Sequence, residues 1–276
     1  MRVIAAGTVV AAFTLLIGSM TPSSAQAPAP AGGQLEPFAQ SLGDSIVKLQ
    51  MIPIPGGTLK VGGKPVTVKP FWISRTETPW EAFDVFTASG EPSPPYDQTE
   101  FPPDAIARPS KSYILPDMGW GHNGYPVINI SFTTAQMFAR WVAASTKKKF
   151  RLPTEAEWEL ACRAGNMAPW KIDKAEVEKT AWHWLNTSRI THPVGKKQPN
   201  KYGLFDMFGN VGEWSTDMAG KPVLCGGTFK DSPTNMLPTV RRRFEPRWQE
   251  TDPQFPKSRW WLSDAPFCGV RLVCEP

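Results

Sequence analysis

The chain has 276 residues, a formal net charge of +5, 20% charged residues and 41% hydrophobic ones. That length suits one large domain. Basic residues are scattered apart from Lys147 to Lys149 and Arg241 to Arg243, which excludes the concentrated footprint of a nucleic-acid reader and leaves solvated or salt-bridged faces.

In chain order, Arg2 and the apolar run Val3 to Ile17 precede small and polar residues. This reads as a secretory signal peptide over 1–25. Cleavage after Ala25 is preferred to Ala27, which would leave Pro28 at the new amino terminus, and the apolar run is shorter than the ~20 residues of a membrane span. The mature protein is therefore expected to be secreted or periplasmic. An Ala/Pro-rich linker is expected over 26–45 and one domain over 46–276. Met51 to Val61 predicts short strands with a tight turn, continued by Val66 to Ile73. Thr78-Pro-Trp-Glu81 has the form of a capping box with Pro at the first helical position, and Trp80, Ala82, Phe83 and Phe86 give that helix an apolar face up to Gly90. The proline-rich stretch from Glu91 to about Asn123 reads as an ordered surface loop, and Tyr125 to Ile130 as a strand. A second helix is expected from Ser131 to Thr133 onward, with Ala135, Phe138, Ala139 and Val142 on one face. Thr154 and Glu157 form the capping box of a third helix ending at Gly165. Everything beyond reads as loops and short strands. With 12 Trp and 29 Pro, the expectation is an α+β domain of low regular content, held by aromatic packing.

Several constellations could carry chemistry. Asp206 and Glu213 are separated by a glycine turn able to aim carbonyls inward, an oxygen-rich arrangement suited to a hard cation such as calcium. His122, His183 and His192 share no His-x-x-x-His spacing and read as independent surface or capping residues. No Gly-x-Ser-x-Gly elbow is present. Asp117, Asp217 and Asp231, with Glu100 and Asp104, could converge as a glycosidase pair but read as solvating charges. The segments Arg241 to Trp248 and Arg259 to Leu262 combine planar donor forks with aromatic faces, so Arg243, Trp248 and Trp260 form a candidate ligand surface; the alternative is that the rings pack and the arginines pair with carboxylates. Cys162, Cys225, Cys268 and Cys274 include no Cys-x-x-Cys, and export points them to disulfides, with three pairings open.

The segment Arg151-Leu-Pro-Thr-Glu-Ala-Glu-Trp-Glu159, with Gly203-Leu-Phe-Asp-Met-Phe-Gly-Asn-Val-Gly-Glu-Trp214, Gly226-Gly-Thr-Phe229 and Gly269-Val-Arg-Leu272, resembles the formylglycine-generating enzyme (sulfatase-modifying factor) family. The resemblance runs from about Met51 to Val273. It implies a C-type-lectin-like fold with little regular secondary structure. It also implies structural calcium held by the side chains of Asp206 and Glu213 and the main-chain carbonyls of Gly209 and Val211. A second calcium is not expected, because Asn186 to His192 offers no acidic ligand. The resemblance implies a Cys162 to Cys274 bridge, and Cys225 is expected to pair with Cys268. In the family's catalytic members two thiolates hold Cu(I) and oxygen oxidises a substrate cysteine. Asp231 and Met236 fall at those positions here, so copper is not expected and the activity is left open. The first expectation is a non-oxidising domain that binds a protein, peptide or glycan partner in the cell envelope. The alternatives are an enzyme that modifies an exported sulfatase by another centre, and a structural envelope subunit.

Overall fold

The computed structural model describes residues 35–89 and 116–276; the expected signal peptide and most of the expected loop after Gly90 lie outside them. The first strands come from short alternating runs: β1 (Phe38–Ser41), β2 (Lys48–Ile54), β3 (Gly57–Val61), β4 (Lys64–Val68) and β5 (Phe71–Ser74). β1 pairs with β2, so ordered structure begins inside the stretch assigned to the linker. β3 and β4 form a separate hairpin. The remaining strands are β6 (Phe150–Arg151), β7 (Gly212–Thr216), β8 (Pro222–Cys225), β9 (Arg241–Arg242), β10 (Cys268–Gly269) and β11 (Val273–Cys274). One antiparallel sheet runs β1-β2-β5-β11-β6 and a second runs β10-β7-β8-β9, with β10 parallel to β7.

Helices α1 (Trp80–Ala88), α2 (Phe132–Thr146) and α3 (Glu155–Arg163) correspond to the three expected. α2 starts at Ser131, whose side chain accepts from Thr134 N. α3 has the full Thr154/Glu157 capping box. The box expected at α1 is not formed: Pro79 is the N-cap without a side-chain bond, Thr78 Oγ1 has no partner, and Glu81 accepts from Gly124 N at 2.8 Å instead. A fourth helix, α4 (Lys174–Thr180), capped by Asp173, replaces part of the expected loop; only its Val177 is buried, so no apolar stripe marks it in the sequence. Tyr125 to Ile130 is not a strand; it contributes isolated bridges from Pro126 to Pro79 and from Ile130 to Trp261. Among the described residues no helix is long and apolar enough to cross a membrane.

Side chains of the five-stranded sheet alternate between two cores. Leu49, Met51 and Cys274 join α1 and α2 in one, while Ile54, Phe71, Ile73 and Val273 join α3 and the hairpin in the other. This alternation corrects the disulfide expectation. Cys162 on α3 lies in the second core and Cys274 in the first, on opposite faces of the sheet. Cys225 on β8 and Cys268 on β10 flank β7, two strand spacings apart, about 10 Å, beyond the ~7 Å Cα reach of a disulfide. All four are free, buried thiols.

Candidate functional site

The turn from Gly203 into β7 uses the left-handed region repeatedly, at Gly203, Asp206, Gly209 and Asn210. Gly209 has no alternative: a Cβ there would lie 1.9 Å from Trp182 O. Asn210 fixes the turn by donating to Glu77 Oε2 at 2.7 Å and to His192 O at 3.1 Å, while its Oδ1 accepts from His192 N. Glu77 Oε1 accepts from Val211 N at 2.9 Å. Burial, then Asp206 and Glu213, push the Glu77 carboxyl well above its ordinary range. Sequence reasoning missed Glu77. Its only local signal was a carboxylate between two threonines just before a helix start, and nothing in the spacing tied it to a turn more than 130 residues away.

The residues expected to hold calcium divide. Asp206 Oδ2 accepts from Gly195 N at 2.6 Å, and burial pushes its pKa up to about 6. Its Oδ1 is buried without a partner, the feature of the turn that suits a cation. Glu213 does not suit one. Its carboxylate takes Arg271 Nε at 2.9 and 2.8 Å, Arg271 Nη2 at 2.7 Å and Trp158 Nε1 at 2.6 Å, so three N–H groups, the Nε one shared between both oxygens, occupy a carboxylate that has about four lone-pair sites. Asp206, Gly209, Val211 and Glu213 therefore do not fit calcium as a set.

The two positions expected of a thiolate pair are also closed. Asp231 Oδ1 pairs with Arg242 Nη2 at 2.7 Å and Oδ2 accepts from Thr228 Oγ1 at 2.8 Å. Met236 is fully buried in the α3 core and packs at Gly227, where a Cβ would sit 3.3 Å from its sulfur. Beside Asp231 the surface opens. Trp184 N donates to Asp231 O at 3.0 Å, yet the Trp184 side chain and Leu185 are exposed. The Arg189 guanidinium lies over the Trp184 ring at 4.6 Å. The 184–189 loop is held from beneath by Asn186, whose Oδ1 accepts from His183 N and whose Nδ2 donates to Glu178 and Ala181 O.

The expected ligand surface is corrected. Trp248 is 3% and Trp260 6% exposed, and Trp248 packs edge-on against Phe267 and Phe244. Arg243 is exposed but bonds Asp217 at 2.8 Å. Arg241 bridges Glu155 and Glu159, so all three arginines of the cluster pair with carboxylates. Asp117, Asp217 and Asp231 are each taken by a different partner, namely His122, Arg243 and Arg242, and do not act as a pair; Glu100 and Asp104 lie outside the described residues. His122 sits between Asp84 and Asp117, His192 stacks on Trp182, and His183 is buried against Glu178, not on the surface.

The family model described as sulfatase-modifying factor enzyme 1-like domain matches residues 44–254. The formylglycine-generating enzyme of Mycobacterium tuberculosis is 36% identical over 110 residues, covering 34% of this chain and 33% of that protein. The formylglycine-generating enzyme of Thermomonospora curvata is 28% identical over 221 residues, covering 60% of this chain and 71% of that protein. The serine/threonine-protein kinase pkn1 of Chlamydia pneumoniae is 37% identical over 100 residues, covering 36% of this chain and 15% of that protein. The chain thus spans a third or less of the Mycobacterium and Chlamydia relatives it matches. Among solved structures, PvdO from Pseudomonas aeruginosa superposes with a TM-score of 0.62 at 22% identity, over 89% of this chain and all of that one. Treponema denticola variable protein 1 superposes with a TM-score of 0.61 at 22% identity, over 90% of this chain and 100% of that one. These likenesses show the α+β fold.

Proposed function

The chain belongs to the family of the sulfatase-modifying factor enzyme 1-like domain, and from that premise we propose that it is an exported, non-oxidising member that binds a protein or peptide partner. The observation that carries this is the filling of the two thiolate positions: Asp231 is ion-paired and Met236 is core. Neither side chain supplies a soft thiolate. The four cysteines cannot replace the pair from where they stand. All are buried, and burial pushes the thiols of Cys162, Cys225 and Cys268 up, away from the reactive anion.

What the region retains is a face for recognition. Trp184 and Leu185 offer exposed apolar area and Arg189 adds a cationic edge over the Trp184 ring; Trp and Arg are residue types enriched at binding hot spots. The export assignment rests on the apolar leader in the sequence.

The test is to incubate the purified protein with copper under air and a sulfatase-type Cys-x-Pro-x-Arg peptide, then weigh the peptide by mass spectrometry beside an active formylglycine-generating enzyme. An unchanged peptide is the expected outcome. Conversion of its cysteine to formylglycine would overturn the reading and establish an enzyme acting through another centre.

A further inference from the structure

Arg271 is fully buried and Glu213 is 1% exposed. A buried guanidinium is costly unless each N-H finds an acceptor and a counter-charge lies close. Here every nitrogen of the guanidinium finds an acceptor and Glu213 supplies the counter-charge. Nε and Nη2 grip the Glu213 carboxylate at 2.7 to 2.9 Å. Nη1 donates to Ser74 O at 2.9 Å, and Nη2 also donates to Phe205 O at 2.8 Å and reaches Asp206 O at 3.5 Å. Trp158 Nε1 completes the shell of Glu213.

Trp158 links α3 to the group through Glu213, and Arg271's own partners come from the end of β5, the turn before β7 and β7 itself, three separate parts of the chain tied by one planar fork. They are also the groups a hard cation would take: a carboxylate and inward-facing carbonyls. A divalent ion bound through Glu213 would have to displace charge-assisted hydrogen bonds and sit against a buried positive charge. We infer that Arg271 is the internal cation of this turn, and that the turn is organised without calcium. The partnerless Asp206 Oδ1 is the opposing observation, since it offers a foothold that does not need Glu213.

The deciding measurement uses the whole mature chain. Its thermal melt is recorded in excess calcium chloride and in excess chelator, and its metal content is read by mass spectrometry as purified. The expected result is the same melting temperature in both and no stoichiometric calcium. A melt raised by calcium and lowered by chelator, or one calcium per chain, would overturn it. Arg271→Gln removes the charge while keeping hydrogen-bonding groups, and should lower the melting temperature by roughly 10 °C or leave no cooperative transition. A wild-type melt for that variant would equally overturn the assignment, because it would show that the guanidinium organises nothing.

Discussion

The turn leading into β7 and the face beside Asp231 carry neighbouring family motifs, yet they are built in opposite ways. In the turn, Glu77, Asn210, Glu213 and Arg271 are buried and bonded to one another or to backbone. On the face, Asp231 and Met236 are tucked in while Trp184 and Leu185 are left in solvent. The difference separates two tasks. Substitutions in the turn should move stability, and substitutions on the face should move binding. A protein in which one substitution did both would break the comparison.

The largest effect is expected from Gly209→Ala. The new Cβ would meet backbone, Trp182 O at 1.9 Å, at φ 76°, and neither can yield without opening the parallel bridge to Trp182. Loss of soluble, cooperatively melting protein is the outcome; a melt within a few degrees of wild type would show that the turn is softer than its geometry implies. Next is Glu213→Ala, which strands a guanidinium with no exposure. Such unpaired buried charges cost about 3–5 kcal/mol, read in chemical denaturation as a lower midpoint at unchanged slope.

A smaller, pH-dependent effect belongs to His122, whose construction lies between the two regions. Its Nε2 meets Asp84 at 2.7 Å and its Nδ1 meets Asp117 at 3.1 Å, with Trp80 stacked on the ring. Burial draws its pKa down, but the two carboxylate hydrogen bonds outweigh that and leave it raised. With the folded value above the unfolded one, the stabilisation is fully present below the ordinary histidine value of 6.5 and is lost as pH rises through the raised value. Wild type should therefore lose some melting temperature across that interval, and His122→Gln should lose less. Equal pH slopes for the two would remove the clamp from the account.

How much of this was legible follows from where each interaction lies along the chain. The capping box of Thr154 and Glu157 is three residues wide and was readable. So were the glycine turn between Asp206 and Glu213 and the apolar stripe of α2. The partners of Glu213 were not, because Trp158 and Arg271 lie 55 and 58 residues away, and a motif read alone presents a carboxylate without showing what fills it. The same blindness misplaced Trp248 and Trp260, which look like a surface in a string of Arg and Trp until the fold wraps aromatic rings around Trp248. Cysteine pairing failed for a related reason: strand parity and sheet order decide it, and the sequence carries neither until the strands are paired.

The smallest expected change in stability sharpens the comparison most. Trp184→Ala combined with Leu185→Ala removes exposed side chains whose backbone bonds, Trp184 N to Asp231 O and Leu185 N to His183 Nδ1, survive the change. Surface substitutions of this kind usually fall within about 0.5 kcal/mol, so the melt should match wild type, and Arg189 should lose its stacking partner without unfolding its loop. Binding is where the loss should appear. Once a partner is in hand, the double variant should bind at least about tenfold more weakly by calorimetry, the scale of one truncated hot-spot side chain. Full affinity with an unchanged melt would place the recognition face elsewhere. A collapsed melt would mean that Trp184 and Leu185 support the fold, and the division between a closed turn and an open face would not hold.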